Sequence, residues 1–178
     1  MILSTIASAN CVGFSGSRNP NGAIPSGVIL GAIAAVSPKA SVMVGCARGV
    51  DAVVRQAFGS RCQVFSVSSG QWGSGRGAFA GRSIACVRAV AAVAGLWVSF
   101  PCSHCPAGLL PSGSSSKCFS GSGSGSWASL AYALGSDVTC LVFLPDGVVA
   151  PAGWRLAPMV DCNGWFSSVS VAKQLSLF

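Results

Sequence analysis

Three arginines that lie in or near short polar turns are the residues of this sequence best suited to chemistry. Arg18 ends the turn GSR, Arg48 lies in the turn CARG, and Arg82 lies in the segment FAGRSIA. A guanidinium is a permanently charged planar fork that can bridge two oxygens of a phosphate group. One such arginine alone is most often a solvated surface group, but three on converging turns predict a site for a phosphate anion.

The elements that position these turns predict an α/β fold. Apolar runs of strand length alternate with longer segments of helical spacing along most of the chain. The predicted strands span residues 10–14, 42–44, 62–67, 96–100 and 138–144, and the predicted helices span 24–36, 51–58, 78–94 and 127–134. We therefore expect a Rossmann-like, open and mostly parallel sheet with helices on both faces. In such sheets, ligands bind beyond the carboxyl ends of the strands, where the polar turns would meet.

Segment 41–58 is the clearest strand–turn–helix unit, with the cation Arg48 at the tip of its turn. A strand that leads directly into a helix presents free backbone N–H groups and the positive end of the helix dipole, which favour an anion. Asp51 falls in the first turn of this helix. We interpret it as a structural or ligand-orienting group rather than a catalytic acid. The alternative for the unit is an ordinary turn whose Arg48 points into water.

These considerations give one set of candidate binding residues and no catalytic residue. The predicted phosphate- or nucleic-acid-binding residues are Gly16, Ser17, Arg18, Cys46, Ala47, Arg48, Gly49, Asp51, Arg82, Ser124, Gly125 and Ser126. Trp72 and Trp127 flank the predicted crevice and could stack on a base. Packing of the helix on the sheet is the alternative for Trp127.

Charge composition favours a polyanionic partner. The chain has 11 lysines and arginines against 4 acids, all of them aspartate, and a net charge of +7. This balance is typical of proteins that bind nucleic acid. Because only 8% of the 178 residues are charged, the surface is rich in serine, glycine and apolar groups. Self-association as a homo-oligomer, or a role as a self-assembling structural protein, is the alternative that this surface suggests.

The nine cysteines are interpreted as reduced thiols in a cytoplasmic protein, because no secretory signal and no membrane-spanning run is visible. Four residues around an irregular segment form a weak candidate for zinc: Cys102, His104, Cys105 and Cys118. Structural zinc motifs normally show a second clear ligand pair, and none follows at the usual spacing. The sequence therefore predicts neither a metal site nor a cofactor.

Several of these motifs resemble the DNA-processing protein A (DprA/Smf) family within the SLOG-type Rossmann superfamily. The family pairs a G-[ST]-R turn with a [SG]-x-A-R-G-[IV]-D turn, and the chain has GSR at 16–18 and GCARGVD at 45–51. Segment 79–85, FAGRSIA, is similar to the family's F-x-x-R-x-x-I-[IA] helix, and GSGSW at 123–127 stands at its S-G-[ST] turn. The resemblance covers residues 10–145.

The resemblance implies a positively charged pocket that holds the phosphates of single-stranded DNA. Other superfamily members sense or cleave nucleotides, so a nucleotide-binding or nucleotide-hydrolysing domain is the alternative. The cleaving enzymes resemble P-G-G-x-G-T-x-x-E at the last turn. This chain has GSGSGSWASL there and no glutamate anywhere, which disfavours hydrolysis.

The last five residues form a separate motif. Gln174, Leu175, Ser176, Leu177 and Phe178 match the pentapeptide Q-L-[SD]-L-F with which bacterial replication and repair proteins bind the sliding clamp. Apolar anchors at a chain end suit a preformed groove, and a tail that packs on its own domain is the alternative. We therefore expect a binding domain at 1–163, a flexible tail at 164–178, and a role in DNA replication, repair or recombination.

Overall fold

The computed structural model describes residues 2–121 and 124–168, and these form one mixed α/β unit. The strands are β1 (Cys11–Gly16), β2 (Ser41–Gly45), β3 (Cys62–Phe65), β4 (Leu96–Phe100), β5 (Thr139–Phe143), β6 (Leu156–Pro158) and β7 (Trp165–Ser168). The helices are α1 (Ile2–Ser8), α2 (Ser26–Ala34), α3 (Val50–Phe58), α4 (Gly75–Ala92), α5 (Ser115–Cys118) and α6 (Gly125–Gly135). Short 3₁₀ turns occupy Gly59–Arg61 and Val67–Ser69.

The sheet has the order β3-β2-β1-β4-β5-β7-β6. The first five strands along this order pair in parallel, and β7 joins β5 and β6 in antiparallel pairing. Chain order runs outward from β1 to β3 on one side and from β4 to β5 on the other. The direction of winding thus reverses between β1 and β4, and ligands of such sheets bind outside the strand ends at this switch point. The predicted open, mostly parallel sheet with helices on both faces is confirmed.

The two faces of the sheet carry two separate cores. Helices α1, α2 and α3 cover one face, with Ile6, Ile29 and Val54 buried against the strands. Helices α4 and α6 cover the other, with Val87, Leu130 and other apolar side chains buried. The central strands β1 and β4 read as almost continuous apolar runs because they are buried on both faces. Because α4 follows β3 and α6 follows β4, both helices begin at the edge of the sheet where the parallel strands end.

One predicted boundary near the end of the domain is wrong. The flexible tail is predicted to begin at residue 164, but Trp165–Ser168 is strand β7, and its backbone pairs with β5 and β6. The reason is tertiary: Trp165 packs edge-on against Phe100 and Phe143, both with ring centroids 5.6 Å away. Strand β6 has no counterpart among the predicted elements. Within the described residues, no helix has both the length and the apolar character that a membrane span requires.

Candidate functional site

A cavity of about 720 Å³ lies at the switch point of the sheet. The carboxyl ends of β1 and β2 form its floor, and the first turns of α4 and α6 form its walls. Residues of the irregular segment between β4 and α6, among them Leu109 and Phe119, also line it. The volume lies within the range of roughly 300–1,000 Å³ that is usual for ligand sites.

Most of the predicted binding residues meet in this cavity. The nine that line it are Gly16, Ser17, Arg18, Ala47, Asp51, Arg82, Ser124, Gly125 and Ser126. Cys46, Arg48 and Gly49 are not among the lining residues. Arg48 is exposed beside the cavity, and the Cys46 sulfur accepts a hydrogen bond from the backbone N–H of Val67 at 3.4 Å.

Arg82 and Asp51 form a buried ion pair at the cavity floor. Arg82 Nη1 donates to Asp51 Oδ2 at 3.1 Å, and the two side chains are only 9% and 6% exposed. The same carboxylate oxygen accepts the backbone N–H of Ala47 at 3.2 Å. Arg82 Nε is buried and has no hydrogen-bond partner among the described residues. The ion pair thus joins α4 to the turn after β2. Among the described residues, the Nε–H of Arg82 remains without an acceptor beside the cavity.

The pKa of Asp51 is raised above its ordinary value, because burial removes the carboxylate from water. The charge of Arg82, its hydrogen bond and the N–H of Ala47 all act in the opposite direction. Asp51 therefore depends on Arg82 for a stable buried charge. This agrees with its interpretation as a structural group.

Gly45 leaves the space that the Arg82 guanidinium occupies. A Cβ on Gly45 would overlap Arg82 Nη1 and lie 2.6 Å from Asp51 Oδ2. Replacing Gly45 with alanine should displace Arg82 from its partner and lower the free energy of unfolding by about 1–3 kcal/mol, as overpacking of a buried site does. Urea unfolding followed by tryptophan fluorescence measures the change.

Gly27→Ala is the matched control for Gly45→Ala. No atom lies within 4 Å of the Cβ that this change adds, and Gly27 lies in helix α2. It should leave stability unchanged or raise it slightly, because alanine favours the helix. Equal stability of Gly45→Ala and the parent chain would contradict the close contact between Arg82 and this strand end.

The turn after β2 is held from two further sides. Arg55 Nη1 donates to the carbonyl oxygens of Gly45 at 2.8 Å and Ala47 at 2.9 Å. Gly49 has a φ of 75°, and a Cβ there would overlap the carbonyl oxygen of Ser17. That same oxygen accepts the N–H of Val50 at 3.1 Å. The first two polar turns of the sequence are therefore packed directly against each other.

Arg18, Arg76 and Phe79 form the mouth of the cavity. All three are exposed, and the Arg18 guanidinium carbon lies 5.2 Å from the centroid of the Phe79 ring. Arg76 is not a predicted site residue, because it precedes the predicted helix at 78–94. Helix α4 begins at Gly75 instead, so Arg76, Phe79 and Arg82 follow one another at steps of three along the helix. Extending the helical periodicity from Arg82 toward the N-terminus identifies Phe79 and Arg76 as residues of the same helix face.

The first turn of α6 supplies hydroxyl and backbone groups to the opposite wall. Ser124 is the N-cap residue, and its side chain makes no capping hydrogen bond to the helix backbone. Its hydroxyl instead lies 2.7 Å from the hydroxyl of Ser126. The turn therefore combines hydroxyl groups with the positive end of a helix of 11 residues, both of which suit an anion.

Other polar groups at the cavity wall are internally satisfied. Ser15 Oγ accepts the indole N–H of Trp97 at 3.1 Å and lies 3.0 Å from the hydroxyl of Ser99. Neither partner is a base that could activate Ser15 as a nucleophile. Burial raises the pKa of the Cys86 and Cys118 thiols, so both stay protonated near neutral pH. The described polar groups of the cavity wall are therefore hydrogen-bonded among themselves or protonated.

The tryptophans proposed for base stacking lie elsewhere. Trp127 is fully buried, packs edge-on against Trp154 with ring centroids 5.5 Å apart, and donates its indole N–H to the carbonyl of Ser103 at 2.8 Å. Trp72 packs against Phe65 at a centroid distance of 6.3 Å. Neither lines the cavity, so packing is the role of both.

The weak zinc candidate is not assembled. Cys102 donates to the hydroxyl of Ser17 at 2.8 Å, Cys105 to the carbonyl of Pro106 at 3.6 Å, and Cys118 to the carbonyl of Ser112 at 3.4 Å. No group of three or more possible metal ligands, His104 included, comes together within the described part of the chain.

The charge of the cavity is strongly biased. Arg18, Arg76 and Arg82 line it, and Asp51 is the single acid among its described lining residues. The predicted clamp-binding residues 174–178 lie outside the described residues. Comparisons with protein-family models, with curated proteins and with solved structures find no match for the chain.

Proposed function

We propose that the chain is a single-stranded DNA-binding accessory protein that holds phosphate groups in the switch-point cavity. A C-terminal peptide recruits it to the bacterial sliding clamp, for a role in DNA replication, repair or recombination. The observation that supports this proposal is the charge of the cavity: three arginines line it, and its single carboxylate is already paired with one of them. A cavity with this surplus of charge attracts an anion and offers no acid–base pair for a reaction.

The positions of the exposed arginines favour a polyanion over a single phosphate. Arg18 follows β1, Arg48 follows β2, and Arg76 lies in the first turn of α4, which is the next helix after β3. These strands are neighbours in the sheet, and neighbouring strands lie about 4.8 Å apart. The cationic edge thus continues outside the cavity at Arg48, along a path that a nucleic-acid backbone can follow.

The motif resemblance supports the same proposal. The turns GSR and GCARGVD, on which the resemblance to the DNA-processing protein A family depends, pack against each other at this edge. The three remaining acids, Asp137, Asp146 and Asp161, are absent from the described cavity lining, so they do not oppose a bound phosphate there.

A salt titration tests DNA binding directly. Fluorescence anisotropy with a labelled oligothymidine should show binding at low salt that weakens linearly in log–log form as salt rises. Contacts from the three exposed arginines, Arg18, Arg48 and Arg76, predict a slope of about −2, because each contact on a single strand contributes about −0.7. A lack of binding at low salt would refute the proposal.

A mononucleotide is the second candidate ligand, and apolar side chains in the cavity lining favour it. Leu109 and Phe119 offer an apolar surface for a base in the same cavity as the arginines. Thermal-shift measurements separate the two ligands. A large shift with a mononucleotide and none with an oligonucleotide would favour a nucleotide-sensing domain.

Clamp recruitment needs its own test. A pull-down with bacterial sliding clamp should retain the parent chain and lose a variant in which Leu177 and Phe178 are both serine, because the apolar anchors are gone. Ser176→Ala is the control, since it changes the same peptide at a non-anchoring position. Equal retention of all three chains would remove the clamp from the proposal.

A further inference from the structure

The switch-point cavity combines one buried guanidinium with two exposed ones. The side chain of Arg82 is only 9% exposed, whereas Arg18 and Arg76 are exposed at the mouth. Among the described residues, the Nε–H of Arg82 has no hydrogen-bond acceptor. A buried donor without a partner is unfavourable, and most buried donors in proteins are paired. This donor is therefore available to an acceptor that a ligand brings to the cavity.

The charge of the described lining residues suits a dianion. Three arginines line the cavity and Asp51 offsets one of them, which leaves two positive charges. A phosphate at the end of a DNA strand is a monoester, and a phosphomonoester carries about −1.5 to −2 charges at pH 7. A phosphate inside the DNA strand is a diester with a single negative charge. A terminal phosphate therefore matches the charge of the cavity better than an internal one.

The donors at the cavity suit the oxygens of a terminal phosphate. Helices α4 and α6 both begin there, and Gly77 and Gly125 of their first turns line the cavity together with the hydroxyl-bearing Ser124 and Ser126. A phosphomonoester offers three acceptor oxygens to such groups, whereas a diester has two of its oxygens bonded to sugars. A diester held at the buried Arg82 would also bring a sugar into the cavity on each side. A terminal phosphate brings in only one.

We infer that this cavity selects the terminal phosphate of a single DNA strand over its internal phosphates. The inference rests on the proposed function, because it states which phosphate of the DNA the same site holds. The rest of the DNA strand then leaves through the mouth, past the exposed Arg48 beside it. The recognised group is a phosphomonoester at either the 5′ or the 3′ end, and the experiment separates these two sources.

Competition binding to the full-length parent chain tests the inference. Oligothymidines with a 5′-phosphate or a 3′-phosphate compete, at one low salt concentration, with a labelled oligothymidine that has hydroxyl groups at both ends. At least one phosphorylated competitor should bind on the order of tenfold more tightly than the hydroxyl-ended competitor of equal length, because it satisfies a buried charged donor. The tighter of the two phosphorylated competitors identifies the end that the cavity holds.

A longer oligonucleotide controls for the added charge. A hydroxyl-ended oligothymidine with two more nucleotides gains about as much negative charge as a terminal phosphate adds. Its affinity should stay within about twofold of that of the shorter hydroxyl-ended oligothymidine, because its added charges are on diesters. An affinity equal to that of the phosphorylated competitor would assign the preference to total charge and overturn the inference.

A double serine variant tests whether the cavity wall supplies the preference. Ser124→Ala combined with Ser126→Ala removes two hydroxyls that lie 2.7 Å apart, and the Ser124 side chain makes no capping hydrogen bond. The preference for the phosphorylated competitor should fall several-fold. Ser114→Ala combined with Ser116→Ala is the matched control, because these hydroxyls lie 3.0 Å apart and neither residue is in the described cavity lining. The control should keep the full preference.

The outcomes distinguish this inference from the proposed function. Equal affinity for phosphorylated and hydroxyl-ended oligothymidines of the same length would overturn the inference and leave single-stranded DNA binding in place. A preference that is unchanged in the cavity double variant, or lost equally in both double variants, would also overturn it. No binding of any oligothymidine at low salt would refute the proposed function, and the inference with it.

Discussion

Replacing Arg82 with methionine is expected to lower the free energy of unfolding by about 3–5 kcal/mol, the usual cost of removing one partner of a buried ion pair. Methionine keeps much of the length of the side chain, so the main loss is the charge that faces Asp51. The carboxylate would keep the N–H of Ala47 but lose its closest cation. Urea unfolding at pH 7 measures the change.

The loss should depend on pH in a defined direction. Burial raises the pKa of Asp51 in the folded parent chain, and loss of Arg82 removes the largest opposing influence, so this pKa rises further in the variant. A carboxyl whose pKa is higher in the folded than in the unfolded chain contributes its full stabilisation below the unfolded pKa of about 3.9. This stabilisation is lost as the pH rises through the folded pKa. The deficit of the variant should therefore be smallest in mild acid and largest at neutral pH.

Two controls isolate the buried charge. Arg88→Met changes an exposed arginine of the same helix that donates to the hydroxyl of Tyr132 at 2.9 Å, and it should cost about 1 kcal/mol or less. Combining Arg82→Met with Asp51→Asn should recover part of the stability, because no buried charge is then unpaired. A loss in Arg82→Met that does not vary with pH would contradict the pairing argument.

Replacing both Arg18 and Arg76 with serine is expected to weaken oligonucleotide binding on the order of 100-fold at low salt. This corresponds to about 1.4 kcal/mol for each lost charged contact, the low end for hydrogen bonds to charged groups. Both side chains are exposed at the cavity mouth and neither belongs to the buried ion pair, so the fold should be unaffected. The slope of the salt dependence should become shallower by about 1.4, for two contacts.

The matched control removes two positive charges away from the cavity. Lys39 and Arg155 are exposed, and neither lines the cavity. Lys39 precedes β2 and so lies at the opposite edge of the sheet. The double variant Lys39→Ser with Arg155→Ser should bind within a few-fold of the parent. An equal loss in both double variants would mean that net charge, and not the cavity, governs binding.

Local pattern determined much of the architecture. Apolar runs bounded by glycine and proline located the five parallel strands, because buried parallel strands are apolar on both faces. The turns at 16–18 and 46–49 were found because a strand that leads into a helix leaves a short polar signature. Boundaries were less certain: this helix is predicted to begin at residue 78, but α4 begins at Gly75, because the glycines of its first turn do not look helical in the sequence.

The sequence by itself determined the fold class, the cationic balance and the two turns that pack together at the sheet edge. Only the tertiary structure decided the role of each arginine. Arg82, 31 positions from Asp51, is committed to a buried pair, while Arg48 lies beside the cavity and Arg76 lines it. Such outcomes depend on contacts between residues far apart in the chain, which no local pattern encodes. Arg82 anchors the cavity floor through this pair, a role that its sequence context did not distinguish from those of Arg18 and Arg48.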